Sequence, residues 1–349
     1  MKVQKADLAT KLNKIKGVVP KKTTMPVLQG ILVKEGYLIA NNMEMTVKAK
    51  LEGIEDDCFI IPERAFDLIS NLPDGEVEIS VTTKNIITIK ADKIKNKYRT
   101  MDSEQFPDIT TQKAENRLTI KASILLESIK RVSYAILAQG SNMAMSSMCL
   151  QAADGQLNFV GLDGHVLAWD KVGYDGDFEL LIPKNTIDKL KSLGLTGDVQ
   201  ITHNKTGAVF ITEDFEVYTR LVEGEYFKYQ TMFKEMPIHT VVSRGELLDA
   251  MTRAKMCTEE RCPVKFEMQE KQLNLSIKDK TTDYQETVDL QEKLLKPLTI
   301  GFDARLVLET LKAFDCDHVG ISLENPKMPM IIEAEDSDFK AIVLPVAIN

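Results

Sequence analysis

Residues 117–137 read RLTIKASILLESIKRVSYAIL, and the apolar period changes partway along. Leu118 and Ile120 alternate with Thr119 and Lys121, the two-residue repeat of a strand with one buried face. Beyond Ser123 the spacing becomes helical: Leu125, Ile129, Val132 and Ile136 form one stripe, with Glu127, Lys130, Arg131 and Tyr134 away from it. Ser123 stands where an N-cap is expected, its hydroxyl able to accept a backbone N–H of the first turn. The stretch predicts a strand feeding an amphipathic helix.

The same design occurs twice more. Residues 2–18 put Leu8, Leu12 and Ile15 on the stripe and Lys11, Asn13, Lys14 and Lys16 elsewhere, while residues 240–257 use Leu247, Met251 and Ala254, with Arg253 and Lys255 off it. The copies recur about every 120 residues, too long a period for a solenoid and the size of a small domain. A second trio interleaves with the first. IIPERAFDLISNL from Ile60, LIPKNTIDKLKSL from Leu181 and TIGFDARLVLETLKAF from Thr299 are each a short strand, a break and an amphipathic helix. Alternating strand follows each, at residues 77–81, 199–202 and 319–323. The pattern predicts an α+β chain of three tandem similar domains, each with two helices packed on antiparallel sheet, at 1–113, 114–236 and 237–349.

Composition narrows the class. Of 349 residues 44% are apolar, enough for each copy to bury a core. No stretch approaches the roughly 20 apolar residues of a membrane span, and the N-terminus lacks the apolar region of a signal peptide. The expectation is a cytoplasmic protein with no membrane partner. Cys58, Cys149, Cys257, Cys262 and Cys316 are scattered, without a CxxC pair or a histidine cluster, and read as reduced thiols rather than metal ligands. No GxxxxGK or convincing GxGxxG loop occurs, so no cofactor is expected.

The net charge of −8 argues against nucleic acid, but its distribution argues for it. Acid gathers in turns and strand segments such as residues 52–57, 175–179 and 333–338, whereas the helices hold much of the base. Polar helix sides on one shared surface would make that surface positive on an otherwise acidic molecule. The candidate DNA contacts are Lys11, Lys14, Lys130, Arg131, Lys189, Lys191, Arg253 and Lys255, with Lys22 in a proline-stiffened loop at residues 20–26. The plainer alternative is that these lysines merely solvate amphipathic faces.

Longer runs carry a resemblance. TTMPVLQGILVKEGYLIANNMEMTVKAKL, with Met43–Val47 read as alternating sheet, IIPERAFDLISNLPDGEVEISV and the closing MDSEQFPDI resemble the first domain of the bacterial sliding clamp family, the beta subunit of the replicative polymerase. CLQAADGQLNFVGLDGHVLA and TRLVEGEYFKY resemble its second domain, and IGFDARLVLETLKAF and AIVLPVAIN its third. The resemblance implies a DNA-clamp fold in which two chains close head to tail into a ring, with helices lining the hole. Duplex DNA would pass through without sequence readout. Polymerase, clamp loader and repair proteins would dock through short linear peptides.

The resemblance also implies sites. The peptide pocket would be walled by Met145, Leu162, Gly164, His165 and Leu167, by Phe227, Thr231 and Met232, by Asp303 and Leu306, and by Ile342, Leu344, Pro345 and Val346; Met143 and Met148 are exposed candidates to flank it. The ring interface would use Phe106 against Met256 and Cys257. Packing of the interdomain seam, or of one domain's own core by Phe106, is the alternative role for these apolar residues. Asp163 beside His165 suggests a general base, yet no nucleophile motif accompanies the pair, and Asp-Gly reads better as a turn. An enzyme centred on Asp163 and His165, and a monomeric peptide-binding adaptor, remain alternatives.

Overall fold

Every apolar stripe becomes a helix, and every helix is entered from a strand or a short turn. The structure is a computed structural model that describes residues 1–107, 116–138, 140, 142–257, 263–278, 282–294 and 296–348. The expected boundary at 113/114, Cys262 and the Asp108–Ile109 end of the MDSEQFPDI run lie outside the described residues.

The element order repeats three times. The first copy runs β1 (Lys2–Gln4), α1 (Lys5–Ile15), β2 (Gly30–Lys34), β3 (Tyr37–Asn41), β4 (Met45–Lys50) and β5 (Cys58–Pro62). It continues with α2 (Phe66–Ser70), β6 (Glu76–Thr82), β7 (Ile86–Ala91) and β8 (Ile94–Arg99). The second runs β9 (Asn116–Lys121), α3 (Ala122–Val132), β10 (Ser147–Ala153), β11 (Gln156–Leu162), β12 (Val166–Gly173) and β13 (Phe178–Pro183). Then come α4 (Lys184–Leu193), β14 (Asp198–His203), β15 (Gly207–Ile211) and β16 (Phe215–Arg220). The third is β17 (Ile238–Ser243), α5 (Arg244–Met256), β18 (Val264–Gln269), β19 (Gln272–Lys278), β20 (Asp283–Asp289) and β21 (Leu298–Phe302). It ends with α6 (Ala304–Ala313), β22 (His318–Leu323), β23 (Met330–Glu333) and β24 (Lys340–Val343).

Two compact units result, one of residues 1–126 and 188–221, the other of 127–187 and 222–349. The first holds an eight-stranded sheet, β5-β2-β3-β4-β16-β15-β14-β9, and a four-stranded one, β1-β6-β7-β8. In the second the orders are β13-β10-β11-β12-β24-β23-β22-β17 and β20-β19-β18-β21. Each eight-stranded sheet is thus made of halves from successive copies, joined at β4–β16 and at β12–β24, all antiparallel.

The stripes bury as their spacing requires. Leu8, Leu12, Ile15, Leu125, Ile129, Val132, Leu247, Met251 and Ala254 are all fully buried, each large one contributing about 1.5–3 kcal/mol of apolar transfer. Three expectations need correction. Ser123 is not the cap of α3: the helix starts one residue earlier, and the first amide, Ala122 N–H, is accepted by the Gly197 carbonyl at 2.9 Å. Tyr134 does not face solvent, because its hydroxyl is buried beside Thr310. Residues 43–47 are not all strand. Met43 adopts a left-handed φ of +75° in the turn before β4.

That turn shows how closely the copies correspond. Asn42 Oδ1 accepts the amides of Glu44 (3.1 Å) and Met45 (2.8 Å), and Asp163 Oδ1 accepts those of His165 and Val166, both at 2.9 Å. Met43 and Gly164 are the matching left-handed residues, with φ of +75° and +89°. Beyond the turns the registers coincide: Asn41↔Thr46↔Tyr218 in one sheet answers to Leu162↔Leu167↔Ile342 in the other.

Candidate functional site

In the second unit the eight-stranded sheet carries an apolar cluster on one face. Cys149, Val160, Leu162, Leu167, Leu181, Ile331 and Ile342 form it, being every second residue of their strands, and Tyr226 and Tyr229 of the following linker complete it. Trp169, Phe227, Phe233 and Met236 pack on as half-buried walls. Trp169 meets Tyr229 edge to face at 5.2 Å, as Tyr226 meets Phe227 at 5.6 Å, and Trp169 is tilted against Phe233 at 5.3 Å. Polar pins hold the linker in place. Tyr229 donates to Gln151 Oε1 at 2.8 Å, Gln151 Nε2 donates to Glu179 at 2.9 Å, and the Tyr226 amide donates to Glu179 at 3.2 Å. Burial pushes the Tyr226 and Tyr229 phenols and the Cys149 thiol up, so all three stay neutral.

The predicted pocket residues divide. Leu162, Leu167 and Ile342 are buried in the cluster, with Phe227 against it. His165 is exposed on its turn, and its carbonyl accepts the Leu344 amide at 2.8 Å, which sets Leu344, 38% exposed, beside it. Met145 brings its methyl 4.0 Å from where a Cβ on Gly164 would stand. Thr231 and Met232 sit exposed on the short turn Tyr229–Met232. Pro345 and Val346 leave the sheet, and the Val346 amide donates to the Gly301 carbonyl at 2.9 Å. Asp303 and Leu306 are not in the cluster: Asp303 caps α6 through the Arg305 amide at 2.8 Å, and Leu306 is buried. Met148 is fully buried rather than exposed, while Met143 is 58% exposed. Tyr226, Tyr229, Trp169 and Phe233 escaped the sequence reading, although the closely spaced aromatics of residues 226–233 were a visible signal.

Asp163 spends a carboxylate oxygen on two backbone amides, in an orientation set by the turn. That is the geometry of a structural aspartate rather than of one steering an imidazole.

The helix bases are less available than their sequence suggests. Lys11 pairs with Asp214, Lys14 donates to the Leu193 carbonyl, and both ammonium groups stand over the Phe215 ring, at 4.8 and 5.5 Å. Lys189 donates to the Lys14 carbonyl at 3.1 Å, and burial lowers its pKa. Arg131 bridges Glu127 at 2.6 Å and the buried Asp170 at 3.3 Å. Arg253 makes a two-pronged contact with Glu286 at 2.9 and 2.5 Å, which holds that carboxyl below its usual range. Lys22, Lys130, Lys191 and Lys255 are exposed.

The predicted interface residues stand in different settings. Met256, at the end of α5, is 80% exposed, and Cys257 follows it half-buried. Phe106 packs on its own unit, against Val27, Leu28, Leu32 and Ile60. Among the edge strands of the described residues, β8 and β20 are set apart by the threefold order. β4, β12 and β20 are equivalent in the three copies, as are β8, β16 and β24; β4 pairs β16 and β12 pairs β24, which leaves β20 and β8 as sheet edges. β8 carries Lys95, Lys97 and Arg99, and β20 carries Asp283, Glu286 and Asp289.

A threefold order of eight strands and two helices, sheets continuous from copy to copy and an apolar cluster with aromatic walls over one of them fit a DNA-clamp fold. Residues 1–110 match the family described as DNA polymerase III beta subunit, N-terminal domain, and residues 231–347 match its C-terminal domain. The chain belongs to the DNA polymerase III beta subunit family, the beta sliding clamps. It is similar to the beta sliding clamp of Streptococcus pneumoniae serotype 4, 23% identical over 97% of this chain and 96% of that one. The beta sliding clamp of Vibrio cholerae is 22% identical over 99% and 98%. Among solved structures, the DNA polymerase III subunit beta of Pseudomonas aeruginosa superposes with a TM-score of 0.92 at 22% identity, over the full length of both chains. A DnaN sliding clamp of the same organism bound to griselimycin gives 0.92 at 23% identity, over 100% and 99%.

Proposed function

We propose that two copies of this chain close head to tail around duplex DNA and act as a processivity clamp in the cytoplasm, without catalysis. Each copy supplies three domains, 1–113, 114–236 and 237–349, and the groove of the second unit tethers polymerase, clamp loader and repair proteins by short peptides. The observation that carries the ring is that two of the edge strands, β8 and β20, lack the pairing their counterparts make. β8 and β20 are the strands whose counterparts pair elsewhere, and they carry opposite charge, so β20 of one copy matches β8 of another in both position and sign. Exposed Met256 adds an apolar contact at the same end, with Cys257 beside it. Phe106 contributes through the part of its ring that its own cluster leaves uncovered.

DNA would be held mainly by enclosure. With Lys11, Arg131 and Arg253 matched by carboxylates, exposed Lys22 and Lys130 are the foremost of the phosphate contacts, and the purely electrostatic affinity is weak and salt-sensitive. For the groove, the support is its apolar floor and rigid aromatic walls, the usual make-up of a peptide-anchoring site, and a clamp of like fold has been solved bound to griselimycin.

Light scattering at low micromolar concentration tests the ring. Wild type is expected at the mass of two chains. Met256→Asp, which replaces an exposed side chain and spares the fold, should weaken association about 30-fold or more. Lys97→Glu and Asp289→Lys should each weaken it, and the double variant should recover part of the loss. A wild-type monomer would sink this assembly and leave a monomeric peptide-binding adaptor; a dimer that every variant leaves intact would sink the interface assigned to it.

A further inference from the structure

β8 and β20 belong to a pattern that the chain completes twice by itself, so the places of their residues can be matched one by one. At the β4–β16 joint Thr46 faces Tyr218 and Ala49 faces Phe215, and at β12–β24 Leu167 faces Ile342. The hairpins fix the equivalent places. Asn41↔Thr46, Leu162↔Leu167 and Lys278↔Asp283 are the innermost registered pairs of their hairpins, each five residues apart, so Asp283 stands where Thr46 and Leu167 do. β8 and β16 are both six residues long, and each opens three residues past its hairpin partner, Ala91 for Ile94 and Thr212 for Phe215. Ile94 therefore answers to Phe215, and Lys97 to Tyr218.

Side-chain contacts agree with these places. Arg131 of α3 reaches Asp170, three residues past Leu167, and Arg253 of α5 reaches Glu286, three residues past Asp283. Lys14 holds the same position on α1, where Ala49 offers no carboxylate, and its ammonium stands over the Phe215 ring at 5.5 Å. One position is left unfinished. Phe215 is 4% exposed, and its equivalent Phe339, one residue before the Lys340 that faces Trp169, is fully buried. Ile94, the third of the set, is 39% exposed. A lone surface aliphatic means little by itself, but this one sits on an edge strand at a place that both internal joints bury.

We infer that β20 of a second copy lies antiparallel along β8 in the register of the internal joints, with Asp283 opposite Lys97, Gln285 opposite Lys95, and Ile94 buried on α5 beneath the Arg253–Glu286 pair. This register rests on the reading of the chain as half of a two-copy ring, and adds to it which residues meet. The chemistry fits. Asp283 now lies 3.7 Å from Lys278 of its own hairpin, a solvent-exposed pair of little strength, so it is available to Lys97. Gln285 and Lys95 take the places of Lys48 and Glu216, which pair at 3.2 Å in the first joint. A slip of one residue would put Lys97 and Asp283 on opposite faces and turn Ile94 away from α5. Arg253 then serves the joint rather than the DNA: it fixes Glu286 and roofs the aliphatic side chain, as Lys14 roofs Phe215.

Sedimentation velocity of the full chain over a concentration series provides the test, and each substitution acts twice because a ring has two joints. Ile94→Ser should weaken association about tenfold, with the melting curve of the diluted single copy unchanged. Lys97→Glu should weaken it about fivefold. Adding Asp283→Lys to that variant should recover most of the loss. Adding Asp289→Lys instead should recover less, since this register places residue 289 beyond the end of β8, and so should Lys95→Glu with Asp283→Lys, a pair two residues out of step. Recovery by Asp289→Lys equal to or above that by Asp283→Lys, or a dimer indifferent to Ile94→Ser, would overturn the register and leave the ring standing. A wild-type chain that stays monomeric throughout would overturn the ring and the register together.

Discussion

Asn42 and Asp163 do the same work in successive copies, and comparing them shows what a single residue contributes. Each side-chain oxygen closes a turn by accepting two amides, so Asn42→Ala or Asp163→Ala should each lower stability by about 1–2 kcal/mol, read as a shift in denaturation midpoint. The Asp-Gly pair made one turn legible in the sequence. Its counterpart was hidden because Met43, not glycine, holds the left-handed position. Gly161 has a different reason to be glycine. A Cβ there would stand 2.5 Å from the Val132 carbonyl, so Gly161→Ala should cost about 1–3 kcal/mol by forcing the end of α3 off the sheet. Asp170 is 1% exposed, and burial raises its pKa although Arg131 and Ser128 oppose the shift. A carboxyl whose folded pKa lies above its unfolded value contributes stability below the unfolded value and loses that contribution as pH rises through the folded one. The expected result is a decline in stability from about pH 4 upward that Asp170→Asn removes, measured as melting temperature against pH.

Elements were the most legible scale, because period alone separates strand from helix. Stripes such as Leu8, Leu12 and Ile15 are spaced for burial whatever lies beneath them. Long-range neutralisation was not legible. Lys11 and Asp214 are 203 residues apart, and only the β4–β16 joint brings them together. The capping role of Asp303 at α6 was likewise not read from the sequence. The linker over the second unit's sheet depends on its hydrogen bonds to Gln151. Tyr229→Phe deletes the one at 2.8 Å and keeps the ring, so peptide affinity at that groove should fall about two- to tenfold with little change in melting temperature. Isothermal titration with a capped apolar peptide checks this; unchanged affinity would mean that packing alone positions the linker.

At the scale of the whole molecule, the threefold order was readable and the identity of the strands that join the copies' sheets was not, since every strand alternates alike and nothing in a sequence labels which edge meets which. If enclosure rather than charge retains the DNA, clamps loaded on a closed circular duplex should survive a wash in molar salt and be lost when the circle is cut. Lys22→Ala with Lys130→Ala should leave that retention unchanged while weakening binding to short duplexes. Pairing of β4 with β16 and of β12 with β24 has one more consequence, for dissection. A fragment cut at the copy boundaries would bare β12 and β16 as two raw edges at once, the situation that drives proteins to aggregate. Residues 116–220 should therefore come out of cells as inclusion bodies although they hold a full set of ten elements: the unit that recurs three times in this chain is not a piece expected to live alone.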